Sequence, residues 1–215
     1  MLVPFVALAL LAAAPSPLEV VKSGYTDVQE TARAPGVSIE RLVTAVDKFV
    51  DFEELARRAL GETWEKITPA QRKDFTSAMR GMLRAFYAQK TLALANAEVE
   101  YGQQTLDGDD ARVSTFVTIE ELRVPIDYRL YKLARKAGGW RIYDVITNGI
   151  SLLEDYRGQF REILARDGFA GLLSTLKMRQ AQVERAAGQL GSGASGTHGP
   201  GAPAHGKKLR TGKKP

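Results

Sequence analysis

Residues 97–147 read AEVEYGQQTLDGDDARVSTFVTIEELRVPIDYRLYKLARKAGGWRIYDVIT, and apolar residues recur in this stretch with a period of two. That period belongs to strands with one buried face. Four are predicted, over Ala97–Leu106, Ala111–Ile119, Val124–Arg135 and Trp140–Thr147. Asp107-Gly108 and Gly138-Gly139 supply hairpin turns for the first and last pairs. Pro125 stands at the start of the third strand, where a missing N–H is tolerated. Short turns make neighbours antiparallel, so the stretch is a meander and not a βαβ sheet.

Upstream the period is that of helices. Thr68-Pro69-Ala70-Gln71 combines a Thr cap, Pro at the first helical position and Gln at the third. The helix it opens reaches about Leu94, on the order of 39 Å. Phe75, Met79, Met82 and Phe86 fall on one side of its wheel with Leu83 beside them, while Lys73, Arg80 and Arg84 fall on the other. Before it, Pro35-Gly36 ends a first helix and Ser38 caps a second. Asp51 with Glu54 forms a capping box for a third, which Gly61 closes. Downstream, Ser151 and Glu154 form a box opening a helix that Asp167-Gly168 ends, and a last helix runs from Phe169 to about Ala187. Helices, then an antiparallel sheet, then helices make an α+β protein.

Met1–Ala14 is almost wholly apolar and closes on three alanines before Pro15, as a secretory signal does. It is too short for a membrane span, which takes roughly 20 apolar residues. Residues 15–187 are then the folded domain. Residues 188–215 form a Gly/Pro-rich basic tail whose composition does not support order. The 30 basic and 25 acidic side chains give a charge of +5. Lys207, Lys208, Arg210, Lys213 and Lys214 of the acid-free tail account for it. The body is neutral, which argues against a nucleic-acid surface.

The inventory for catalysis is thin. There is no cysteine, and both histidines, His198 and His205, lie in the tail. Thiolate chemistry and a His/Cys zinc site are therefore excluded, and no metal or cofactor is expected. Gly191–Gly196 fits G-x-G-x-x-G in letters but follows no strand and opens no helix. One enzymatic reading survives: Asp127 or Asp144, among Tyr128, Tyr131 and Tyr143, could move a proton beside a carbonyl, as in steroid-isomerase-like or dehydratase-like chemistry. The plainer reading is that these side chains belong to half-exposed strands.

The run Asp51–Gly61 (DFEELARRALG), then Trp64, Thr68–Arg72 and Phe75, resembles the MlaC family. So do Pro125–Leu130, Gly139–Val145, Gly149–Leu152, Tyr156-Arg157 and Phe160, in the same order, so that the similarity runs from about Leu18 to about Met178. The resemblance implies an NTF2-like curved four-stranded sheet packed against several helices around an apolar pocket. It implies a monomeric periplasmic phospholipid carrier, not an enzyme, working between an outer-membrane lipoprotein–porin complex and an inner-membrane ABC transporter with an MCE-domain subunit. Exposing about 30 acyl methylenes to water costs roughly 20 kcal/mol, so a lipid crosses an aqueous gap only inside a sheath. The residues expected to line the pocket are Phe75, Met79, Met82 and Phe86 of the long helix, with Val117, Ile126, Tyr128, Val145, Ile150, Tyr156 and Phe160. Arg80, Arg84, Arg129 and Arg157 are candidates to meet a lipid phosphate or an acidic partner. Two other classes compete with a carrier: the isomerase-like enzyme, and a ligand-free adaptor that uses its basic tail to touch an anionic surface.

Overall fold

The computed structural model describes residues 14–134 and 139–191, and of 85–93 and 186–191 the backbone alone. Ser16 opens helix α1 (Pro17–Arg33) with a reciprocal cap: its hydroxyl accepts from Glu19 N–H, and the Glu19 carboxylate accepts from Ser16 N–H at 2.6 Å. Ser38 caps α2 (Ile39–Asp47), and Asp51 caps α3 (Phe52–Leu60) by accepting from the N–H groups of Glu53 and Glu54. The expected box at Asp51 is only half formed, because the Glu54 carboxylate turns to Arg57 and Arg58, both at 2.6 Å. After the short α4 (Thr63–Lys66), Thr68 and Gln71 make the expected reciprocal cap of α5 (Pro69–Ala93). A 3-10 turn at Leu94–Asn96 leads into the sheet.

The strands are β1 (Glu98–Asp107), β2 (Asp110–Ile119), β3 (Leu122–Lys132), β4 (Trp140–Thr147) and β5 (Ile150–Ser151), ordered as in the chain with every pair antiparallel. The fold is α+β with a curved open sheet, of five strands where four are expected. Register breaks between Tyr101 and Gln104 and at Arg129/Leu130 supply local bending. Gly108 turns the first hairpin as predicted, at φ +57°. The turn between β2 and β3 has no glycine: Glu120 takes φ +56°, which is why no turn signal stands there. The extra strand follows from Asn148 and Gly149, both at positive φ, which fold β5 back onto β4. Gly138 and the expected strand end at Arg135 lie outside the described residues.

Helix α6 (Leu152–Gly191) carries the expected interruption at Gly168, at φ 65° and ψ −172°. Its backbone continues past the expected end at Ala187. Of the expected leader only Ala14 is described, and residues 192–215 of the tail lie outside the described residues.

The buried residues fall into two cores. One lies among the helices, where Phe75 and Met79 of α5 meet Phe160, Leu172 and Leu176 of α6. The Phe75 and Phe160 rings stand edge to face, 5.4 Å apart. The other lies between α1 and the sheet, where Val21 and Tyr25 pack with Val113, Val117, Leu130 and Ile142. The segment after α2 joins the two: Ile142 N–H donates to Phe49 O, and Asp51 N–H to Ile142 O. The Arg141 guanidinium donates to the carbonyls of Asp47, Lys48 and Val50. These bonds fix the end of α2 against β4, and the space they frame is not filled.

Candidate functional site

Two apolar cavities lie beside this junction. One, of ≈ 610 Å³, is bounded by Leu42 and Val46 of α2, Phe52 and Leu55 of α3, Leu83 of α5, and β4. The other, of ≈ 550 Å³, is bounded by Val21, Tyr25 and Val28 of α1, with Val117, Ile126 and Tyr128 of the sheet. Val46, Val50, Ile142, Val145, Thr147 and Asn148 line both. The two are neighbouring compartments with a common wall, each of the size of a small-molecule pocket. Ile150 lines the first and Leu122 the second, yet they are 66% and 67% exposed. These two residues therefore mark where the compartments open.

Of the residues expected to line a pocket, Val117, Ile126, Tyr128, Val145 and Ile150 do line this space. Phe75, Met79, Met82 and Phe160 do not: they are fully packed in the helical core. Tyr156 packs against the same core, its ring 5.5 Å from Phe160. The Phe86 side chain lies outside the described residues. The correction has a physical reason. The stripe of α5 faces α6, whereas the neighbouring Leu83 and Arg84 reach the first cavity. Sequence reasoning missed the contributions of α1, α2 and Val50. Leu42, Val43, Val46 and Val50, recurring at helical spacing, were the signal available.

Several polar groups bordering the space are engaged by the protein. The Tyr25 and Tyr128 hydroxyls share a hydrogen bond of 2.5 Å, and burial pushes both phenols up, so both stay neutral. Asp144 is buried but fully engaged. It accepts from Ser151 Oγ at 2.7 Å and Leu153 N–H at 2.9 Å, with the Arg129 guanidinium at 3.4 Å. It therefore caps α6 together with Ser151, which accepts from Glu154 N–H. Asp127 pairs with Arg112 beyond the cavity wall. Burial pushes its carboxyl up, but Ser114 and Arg112 more than offset this and hold it below the ordinary range. Asp127 thus lacks the raised pKa of a base held in an apolar pocket.

The four candidate arginines separate in the same way. Arg80 pairs with Asp47, Arg129 with Asp144 and Arg157 with Glu154. Arg84, on the border of the first cavity, has no carboxylate within ion-pair distance among the described residues.

Comparison with known proteins agrees with this architecture. The MlaC protein family matches residues 19–178. The chain is similar to the intermembrane phospholipid transport system binding protein MlaC of Haemophilus influenzae, 23% identical over 137 residues, which are 62% of this chain and 64% of that protein. The aligned stretch thus spans just under two thirds of that relative's length. It is also similar to toluene tolerance protein ttg2D of Pseudomonas putida, 27% identical over 177 residues, 74% of this chain and 78% of that one. Among solved structures it matches the phospholipid-binding protein from Ralstonia solanacearum in complex with a phospholipid. The TM-score is 0.71 at 28% identity, over 80% of this chain and 99% of that one. With most of its length matched by the family and its fold shared with that structure, the chain belongs to the MlaC family.

Proposed function

We propose that this protein is a phospholipid carrier that holds acyl chains in the paired cavities. The observation that carries the reading is the unfilled apolar space between α1, α2 and the sheet, in a chain whose structural relative is complexed with a phospholipid. Val117, Ile126, Tyr128, Val145 and Ile150 contact the chains, with Leu42, Val46 and Val50 of the opposite wall. The helical core holding Phe75, Met79, Met82 and Phe160 acts as scaffold. Burying a diacyl lipid's methylenes recovers roughly 20 kcal/mol of hydrophobic free energy, enough to keep the lipid sheathed in water.

Carrying needs no nucleophile. The use of Asp144 as a cap and of Asp127 in an ion pair favours a carrier over the isomerase-like enzyme. The kinship with an intermembrane transport protein supports a periplasmic location and a route between an outer-membrane lipoprotein–porin complex and an inner-membrane ABC transporter with an MCE-domain subunit. Affinity capture from detergent-solubilised envelopes of the source cell tests the route. Recovery of both complexes supports it, and recovery of neither contradicts it. Intact-mass measurement on fractionated cells tests export, which predicts a periplasmic chain beginning near Pro15.

A further inference from the structure

Arg84 stands on the border between two unlike spaces. On one side is the apolar cavity of ≈ 610 Å³, and on the other a polar cleft of ≈ 370 Å³ between α2, α5 and α6 that also holds Ser77, Arg80 and Gln180. The side chain is half-buried and forms no ion pair among the described residues, although its charge is felt by Glu40 of the same cleft. The cleft's acids are otherwise placed. Glu184 accepts from Gln180 Nε2 at 2.8 Å. Glu40 is held below the ordinary range chiefly by its own backbone N–H and by Ser38, with the Arg84 charge contributing least. Neither forms an ion pair with Arg84.

A guanidinium that has lost part of its water and closed no direct ion pair is poised to bind an anion, and its planar fork matches phosphate oxygens two at a time. An amphiphile whose chains fill the first cavity must place its polar end at a border of that cavity. We propose that Arg84 is the headgroup anchor, its guanidinium holding the phosphate of a phospholipid whose chains lie in the adjoining cavity. This rests on the phospholipid reading above.

The test uses the delipidated full chain and two probes with identical chains: dihexanoyl phosphatidylglycerol, and dihexanoylglycerol, which lacks the phosphate. The wild type is expected to prefer the phosphate-bearing probe by about tenfold, with the preference shrinking as salt rises. Arg84→Gln should erase that preference while keeping its affinity for dihexanoylglycerol and its melting temperature, since Arg84 closes no ion pair and its effect on Glu40 is the smallest acting there. Arg84→Lys should retain part of it, and Arg157→Gln all of it. Inorganic phosphate alone should not compete at millimolar concentration. An Arg84→Gln protein that keeps the full preference overturns the anchor while leaving the cavity reading standing. Arg84-dependent binding of inorganic phosphate would make this a free-anion site and overturn it equally. A wild type that binds neither probe removes the phospholipid reading and the anchor together. If Arg84→Gln does not fold, Arg84→Lys and the salt series decide: undiminished preference in both overturns the proposal.

Discussion

Val145 lies in the wall common to both cavities, opposite Tyr128 in the β3–β4 register, so Val145→Glu puts a carboxylate where acyl chains are expected. In the empty protein that carboxylate can hydrate, because the cavities open at Ile150 and Leu122. In the filled protein it meets methylenes. The cheaper escape is protonation, which at pH 7 from a reference near 4.3 costs about 3.7 kcal/mol, or about 500-fold in lipid affinity. The variant should therefore show a native circular dichroism spectrum and lose nearly all co-purified phospholipid. Because protonation becomes easier in acid, retention should return as pH falls toward about 5. Met79→Glu is the contrast. Met79 is 1% exposed in the helical core and lines neither of the two apolar cavities, and a charge there should cost more than about 4 kcal/mol and unfold the domain. A folded Val145→Glu protein carrying its full lipid load would refute the assignment of the cavity. A Val145→Glu protein that unfolds as Met79→Glu does would show that this wall is ordinary packed core.

Three further expectations concern the frame around the cavity. Asp144→Ala should lower stability by about 3 kcal/mol, roughly 10 °C in a thermal melt, because Leu153 N–H, Ser151 and Arg129 lose a common buried acceptor. Gly168→Ala should cost about 1–3 kcal/mol by chemical denaturation: a Cβ meets nothing there, but φ 65° with ψ −172° is a backbone region that only glycine occupies freely. Truncation after Gly191 should leave melting temperature and lipid content unchanged, since the removed residues 192–215 are dominated by Gly, Pro and Lys. A drop of several degrees on truncation would make the tail part of the fold.

Local signals carried most of the fold into legibility. Ser38, Thr68 with Gln71, Gly108 and Gly168 each act within a few residues of where they stand, so their letters disclose their effect. The turn at Glu120 was illegible because a glutamate holds a left-handed conformation that the surrounding hairpin imposes, and β5 because two residues carry no period. On the cavity side, alternation alone does not tell which face of a strand is inward; it is the register that puts Val117, Ile126, Tyr128 and Val145 on one wall. The α5 stripe could not be read that way. Phe75, Met79 and Met82 present the same apolar face whether it meets a ligand or another helix, and its partner, α6, lies some 80 residues along the chain. Charge was informative only with partners in view. Arg84 looks like Arg80 or Arg157 in sequence and differs in forming no ion pair among the described residues.

Whether the paired cavities carry phospholipid can be read by native mass spectrometry of the full chain recovered from a bacterial periplasm. The folded protein should be heavier than its polypeptide by the mass of phospholipid, release fatty acyl fragments on activation and return to the bare mass after Val145→Glu. A wild-type protein that flies at its polypeptide mass alone, from a periplasm rich in phospholipid, would contradict it.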